Sequence, residues 1–462
     1  MTAASGGTSE RGRSRPVTVI GAGLAGCEAT WQLVRRGVPV RLCEMKPDRM
    51  SAAHSSPEFA ELVCSNSLRS NQLGNAVGLL KEEMRRLDSL VLAAADAHAV
   101  PAGRALAVDR HGFARQITDT VLGHPLVTLV RGVVDRIPET GRVVLATGPL
   151  TASSLAQDLQ RILGDEYLYF YDAIAPTVYA DSIDHDVVFR ASRYEEGEGD
   201  YLNVPLDRAE YTAFVDALLA AETVPLHAHE ARLYFEGCLP VEEMARRGPE
   251  TLAHGPMKPV GLVDPRTGRR PHAVVQLRQE DKAGVLFNLV GFQTKLRIGE
   301  QQRILRSLPG LSEAVFARYG SVHRNTYINA PRRLVPSLEL RARPGVTLAG
   351  QLAGVEGYVE SAALGLLAGI NAARAALGLA PAPPPPETAH GALVRYLMES
   401  DPGRFQPSNV NYGLFPALDA PAAGRRKRPK REKNRLLAER ALAALEGWAG
   451  RVAPDASRGD AA

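Results

Sequence analysis

Three short β-type runs in this chain each end in a glycine-rich turn, and a helical pattern follows the turn. The first is Val17-Thr18-Val19-Ile20, which leads into Gly21-Ala22-Gly23-Leu24-Ala25-Gly26. Ala25 to Arg36 then carries Ala29, Leu33 and Val34 on one helical face, with Gly37 as the stop. Val38, Val40 and Leu42 alternate as a strand, and Glu44 closes it. The second run, Arg142 to Leu145, ends in Ala146-Thr147-Gly148. Behind it, Ser154 and Gln157 have the spacing of a capping box. The third, Val346 to Leu348, meets Gly350, Gly354 and Gly357, and a small-residue helix from Ser361 to Arg374 follows. Between the first two runs the periodicity predicts one helix over Leu79 to Ala97, a helix after Asp109, and a strand over Leu126 to Val134. Strands alternating with helices predict an α/β fold with a Rossmann-like nucleotide-binding domain.

The pattern changes near Asp181. Charged and aromatic residues alternate irregularly, 195–200 reads as a loop, and two apolar runs, Ala273 to Leu277 and Val285 to Phe292, read as strands. A helix is expected from Gly299 to Ser307, and an acidic helix start at Val241-Glu242-Glu243. The expected organisation is a disordered leader (1–15), a first part of the nucleotide domain (16–180), an inserted α/β domain for substrate or RNA (181–318) and a return segment (319–380). A proline linker (381–390) and a helical, basic C-terminal segment (391–462) complete it. That segment holds Arg425, Arg426, Lys427, Arg428 and Lys430 beside Tyr412 and Phe415, and a final helix through Trp448.

At 462 residues, 45% hydrophobic and 23% charged, the chain has the composition of a globular protein with a large core. No apolar run approaches the ~20 residues of a membrane span. A cytoplasmic protein without a membrane partner is therefore expected. The four cysteines, Cys27, Cys43, Cys64 and Cys238, form no Cys-x-x-Cys pair and suit neither zinc nor a disulfide framework, so no metal is expected. The net charge of +4 permits a nucleic-acid partner without requiring one. Oligomeric state is not legible.

The glycines have separate tasks. Gly21 allows the tight turn, Gly23 admits a pyrophosphate to the backbone, and Gly26 lets helix and sheet pack closely. Ala22, Leu24 and Ala25 complete the loop, whose free N–H groups bind phosphate. Glu44 stands where an acidic side chain meets a ribose hydroxyl. The Ala-Thr-Gly148 run resembles the second nucleotide-contacting segment of two-part FAD domains. In such domains a C-terminal return like Gly350 to Tyr358 brings a helix start to the flavin. Among the thiols, Cys27 and Cys43 read as packing. Cys64 and Cys238 lie in polar or Gly/Pro-flanked loops; a helix start near Val241 favours ionisation of Cys238, and Arg69 serves Cys64.

With these segments in view, the chain resembles the folate- and FAD-dependent tRNA (uracil-5-)-methyltransferases of bacteria, with wider kinship to the flavoenzyme of wobble-uridine modification. The resemblance is carried by Val19 to Glu28, Leu62 to Arg69, Tyr234 to Pro240, Arg324 to Ala330, Gln351 to Glu360 and Asn409 to Gly413. It implies a glutathione-reductase-type FAD domain. It further implies methylation of C5 of the T-loop uridine at position 54 of tRNA, with 5,10-methylenetetrahydrofolate as carbon donor, FAD as redox cofactor and NADH or NADPH as reductant. Cys238 would be the nucleophile at uracil C6 and Cys64 the second thiol, two roles that are interchangeable on this ground. Glu356 and Tyr358 would help hold folate against the flavin, and Asn288, Lys295 and Arg297 are minor candidates for folate or RNA contacts. The basic run would meet the phosphates of the tRNA T arm. Rival readings are a wobble- or ribosomal-RNA-modifying flavoenzyme, an ordinary NAD(P)H-dependent flavin oxidoreductase, and a flavin-containing RNA-binding factor.

Overall fold

The computed structural model describes residues 15–51, 53–164, 168–173, 175–193, 197, 199–224, 239–418 and 428–454, with backbone alone at 168–173 and 322–325. The β-branched run Val17–Ile20 is the strand around which the rest is arranged. It pairs in parallel with Val40–Glu44 on one side and Val143–Leu145 on the other. Val127–Arg131 extends the sheet past the first neighbour, and Arg343–Leu348 past the second, with Glu339–Leu340 antiparallel at the edge. The chain thus builds outward from Val17–Ile20 in both directions. In open parallel sheets the crevice at such a switch point, outside the carboxyl ends of the strands, is where ligands bind.

Two helices, Leu24–Val34 and Tyr358–Ala376, cross beside this sheet. Their contact is made of small residues because nothing larger fits. A Cβ on Gly365 would lie 2.3 Å from the Ala25 carbonyl oxygen, and one on Gly369 2.6 Å from that of Ala29. The apolar content of the second helix therefore buys close approach of two backbones rather than side-chain interdigitation.

A second sheet runs in the order Phe189–Arg190, Tyr201–Leu206, Ala273–Gln279, Leu286–Leu289, Thr177–Tyr179, Phe316–Arg318, all antiparallel. Its core includes Val204, Phe214, Leu277 and Phe292, and its buried members fall between Val178 and Ala314. An antiparallel ribbon of Leu168–Ala173 with Val322–Tyr327 carries the chain out to this layer and back.

Several expected boundaries shift, each for a local reason. The periodicity over Leu79 to Ala97 is two helices, Ala76–Arg86 and Leu90–Ala97. Asp88 adopts φ 55°, and the Ser89 side chain then accepts the Leu92 N–H, starting a new helix. The Ser154–Gln157 capping box does not form. That helix begins at Ser153 after Ala152, and the Ser154 hydroxyl donates to Asp135 instead. The strand expected to reach Val134 stops at Arg131, before Gly132 with φ 117°. The proline stretch is packed. The Ala382 N–H donates to Asn371, and the Ala382 carbonyl accepts from the indole of Trp448, fully buried in the helix Lys430–Val452. No described helix is long and apolar enough to cross a membrane.

Candidate functional site: a dinucleotide cleft beside a thiol

At the carboxyl ends of the central strands lies a cleft of about 1150 Å³, counting its open mouth. All three glycine turns reach it: Gly21 and Gly23 from the first, Gly148 from the second, Gly350 from the third. Gly21 has φ 99°, and a Cβ there would strike the Ala146 carbonyl at 2.6 Å. Gly26 lies under the loop, where a Cβ would overlap the Gly21 carbonyl oxygen. At Gly23 an added Cβ would meet no protein atom within 4 Å. Its bareness leaves space in the cleft, which is what a pyrophosphate requires. Leu24 and Ala25, opening the first helix, line the same wall.

Glu44 also lines the cleft, and its carboxylate is already engaged. One oxygen accepts the Ala22 N–H at 2.6 Å and the other the Lys46 N–H at 2.8 Å. These bonds fix the acid against the glycine loop. Cys27 lies behind that loop, its thiol donating to the Ala22 carbonyl, and burial with the nearby Glu44 pushes its ionisation far up. Burial raises Cys43 as well. Both are packing residues.

The third turn divides differently from expectation. Tyr358 lines the cleft, but Gly354, Glu356 and Gly357 are not in its wall. Gly354 serves a left-handed turn in which a Cβ would strike Phe405. The Glu356 carboxylate accepts from Gln351 at 2.6 Å. Arg69 is not available to Cys64, because it is paired with the buried Glu360, which also accepts the Val410 N–H. With the Asn409 amide donating to the Glu356 carbonyl, the Asn409–Gly413 motif is a brace for this turn.

Sequence reasoning missed what surrounds Cys64. The Tyr358 hydroxyl oxygen accepts the Cys64 N–H at 2.6 Å and the Ser65 N–H at 3.3 Å, which joins the thiol's loop to the cleft wall. Arg110, Arg278 and Arg318 close on the same loop, with the buried Glu280 as counter-ion. A lone arginine at each of three distant positions carries no pattern that periodicity could detect. Cys238 lies outside the described residues, as does Tyr234 to Gly237. The helix after it is observed as Val241–Arg246, with Glu242 buried against Thr294. Asn288, Lys295 and Arg297 bond within the second layer, to the Pro176 carbonyl, Glu243 and Glu222 respectively.

Of the basic run, Arg425, Arg426 and Lys427 lie outside the described residues. Arg428 is half-buried and Lys430 exposed. Lys430 and Arg431, opening the tail helix, share a groove with Arg104, Gln72 and Asn75. No group of three or more metal-ligating side chains occurs among the described residues.

A switch-point cleft lined by three glycine turns defines a Rossmann-like, FAD-type nucleotide-binding protein. The model of the glucose inhibited division protein A family matches residues 16–380. Two relatives, from Desulforudis audaxviator and Geobacter sulfurreducens, are each 60% identical over 94% of this chain and 98% of their own length. Both are methylenetetrahydrofolate--tRNA-(uracil-5-)-methyltransferases, TrmFO. The chain belongs to this methyltransferase family, within the wider glucose-inhibited-division-protein group. The structure of Aquifex aeolicus GidA superposes with a TM-score of 0.67 at 15% identity, over 96% of this chain and 74% of that one, a likeness of fold.

Proposed function

We propose that this protein methylates C5 of the T-loop uridine of tRNA in the cytoplasm, with 5,10-methylenetetrahydrofolate as carbon donor and NADH or NADPH as the source of electrons. The observation that carries this reading is 60% identity over 98% of relatives bearing that activity in their names. FAD, bound in the cleft, supplies the redox chemistry of the one-carbon unit. The residues present fit it: open space at Gly23, N–H groups at the start of Leu24–Val34, and Glu44 fixed beside the loop.

The thiols do the covalent work. Uracil C5 is a poor nucleophile until a thiolate adds at C6 and leaves an enolate. Cys238 is assigned that addition. Once the carbon is on C5, the C5 proton goes to Cys64, the bond from that carbon to the folate nitrogen breaks, a hydride equivalent drawn from the nicotinamide reductant brings it to a methyl group, and the Cys238 sulfur departs from C6 as the C5–C6 double bond re-forms. Tyr358 steadies the Cys64 loop at the cleft wall and, with Glu356 behind it, shapes the folate's place. Arg428 and Lys430, extended by Arg104 and Arg431, meet the RNA phosphates. A base packed in a folded loop must be swung out to reach these groups.

Transfer of label from methylenetetrahydrofolate to unmodified tRNA tests the reading. Turnover should need both folate and a nicotinamide reductant and be indifferent to S-adenosylmethionine. RNA carrying 5-fluorouracil at the target should trap an adduct on the Cys238 peptide, and Cys238→Ala should abolish both adduct and turnover. An adduct on Cys64 would exchange the two thiols. Sustained turnover with S-adenosylmethionine alone would overturn the reaction.

A further inference from the structure

Three arginines from three separate elements converge on one short stretch of main chain. Arg110 opens the helix Arg110–Leu122 and donates to the carbonyls of Leu62 (2.6 Å) and Cys64 (3.4 Å). Arg318 closes the strand Phe316–Arg318 and donates to the carbonyls of Val63 (2.9 Å) and Cys64 (3.2 Å). Arg278, in the strand Ala273–Gln279, donates to the Ser65 hydroxyl (2.5 Å) and the Asn66 side chain (3.0 Å). Arg110 belongs to the nucleotide-binding layer and the other two to the second layer, so the Cys64 loop is clamped at the joint between them.

Among the described residues the charges in this clamp do not balance. Glu280 pairs with Arg110 at 2.5 Å and stands 3.7 Å from Arg318. Among the described residues no other carboxylate pairs with any of the three arginines. Arg278 is buried, and the Nε atoms of Arg110 and Arg318 are buried with no hydrogen-bond partner. Main-chain carbonyls satisfy N–H groups but do not neutralise charge. One buried and two partly buried cations with a single carboxylate between them favour a further anion within reach. Among the described residues, the charged or titratable side chains bonded to the loop or paired with its arginines are Arg110, Arg278, Arg318, Glu280 and Tyr358, with Tyr201 opposite Arg278 in the sheet and bonded to the Ala102 carbonyl. Burial drives ionisation of Tyr358 well up, so its hydroxyl stays neutral. What remains is the side chain of Cys64, the residue whose carbonyl accepts from Arg110 and Arg318 and whose neighbour Ser65 accepts from Arg278.

We infer that Arg110, Arg278 and Arg318 are positioning residues that keep the Cys64 thiol ionised at neutral pH and hold it across the joint between the two layers. The thiolate is thereby ready to accept a proton; only that use of it, on the C5 proton, rests on the methyl-transfer reading. A clamp that served assembly alone would hold the backbone equally well and leave the sulfur an ordinary thiol.

The pH profile of Cys64 alkylation separates the two. The FAD-loaded full chain is treated with iodoacetamide across pH, and the Cys64 peptide is quantified by mass spectrometry, apart from the Cys238 peptide. The expected midpoint is about 7 or below, against about 8.5 for a free cysteine. Arg318→Gln should raise it and slow alkylation at pH 7 about tenfold, whereas Arg318→Lys, which keeps the charge, should stay near the wild type. Flavin absorbance reports that each variant is folded. A wild-type midpoint at the free-cysteine value, or Gln and Lys variants that behave alike, would overturn the inference. If Arg318→Gln does not hold flavin, the wild-type profile decides alone. Methyl transfer is not read in this experiment, so a chain inert toward tRNA with a low midpoint would sink only the proposed reaction.

Discussion

Gly23 and Gly26 are both bare in the sequence but do opposite things. A side chain at Gly26 would collide with the Gly21 carbonyl and disturb the turn itself. One at Gly23 would collide with nothing of the protein and would project into open space. Gly23→Val should therefore fold with little loss of stability and yet purify colourless, because the pyrophosphate can no longer approach. Flavin absorbance together with a thermal melt checks this. Full flavin occupancy in a Gly23→Val protein would remove the first turn from the cofactor site. Glu44 shows the same economy, since one residue both ends its strand and fixes the glycine loop through the Ala22 N–H.

For a helix, what a glycine costs depends on what lies opposite. Replacing glycine by alanine in a helix interior gains about 1 kcal/mol of propensity. At Gly447, in the exposed face of the tail helix, a Cβ meets nothing within 4 Å, so Gly447→Ala should raise the melting temperature by a few degrees or less. At Gly365 the same methyl would sit 2.3 Å from a backbone carbonyl of the neighbouring helix, which cannot swing aside. Overpacking of that kind costs about 1–3 kcal/mol or more, which exceeds the propensity gain. Gly365→Ala should therefore lower the melting temperature and loosen flavin binding, since the Leu24–Val34 helix carries the phosphate-binding turn. Equal shifts in the two variants would mean that propensity, not helix contact, governs both.

Across the molecule, the fold brings together basic residues that are far apart in sequence. Arg104 is more than 300 positions from Lys430 and Arg431, and all three share one groove. A polyanion lying along it would touch both segments at once. Neutralising Arg104, Lys430 and Arg431 to Gln should weaken tRNA binding and flatten the dependence of log K on log salt by roughly one unit or less per lost phosphate contact. Flavin content should not change, because the groove shares no lining residue with the dinucleotide cleft. Unaltered affinity and slope in the triple variant would return these side chains to an ordinary solvated face.

The glycine turns, their order along the chain and the acid at Glu44 were legible because each depends on local backbone needs: a positive φ, a close approach, a strand end. The chain enters the second sheet at Thr177–Tyr179, a few residues before the change of pattern near Asp181. The split at Asp88 was not legible, because both helices bury the same kind of face and only a three-residue turn with one left-handed residue separates them. Nor was the partner of Cys64. Arg69, five residues away, was the natural expectation, yet it pairs with Glu360, almost three hundred residues on, while Arg110, Arg278 and Arg318 reach the loop from elsewhere. The sequence by itself determined which backbone turns could admit a dinucleotide, since that is a property of a few consecutive residues. Only the tertiary structure decided which charges surround the thiol, since buried ion pairing is settled by which elements pack together and leaves no periodic trace along the chain.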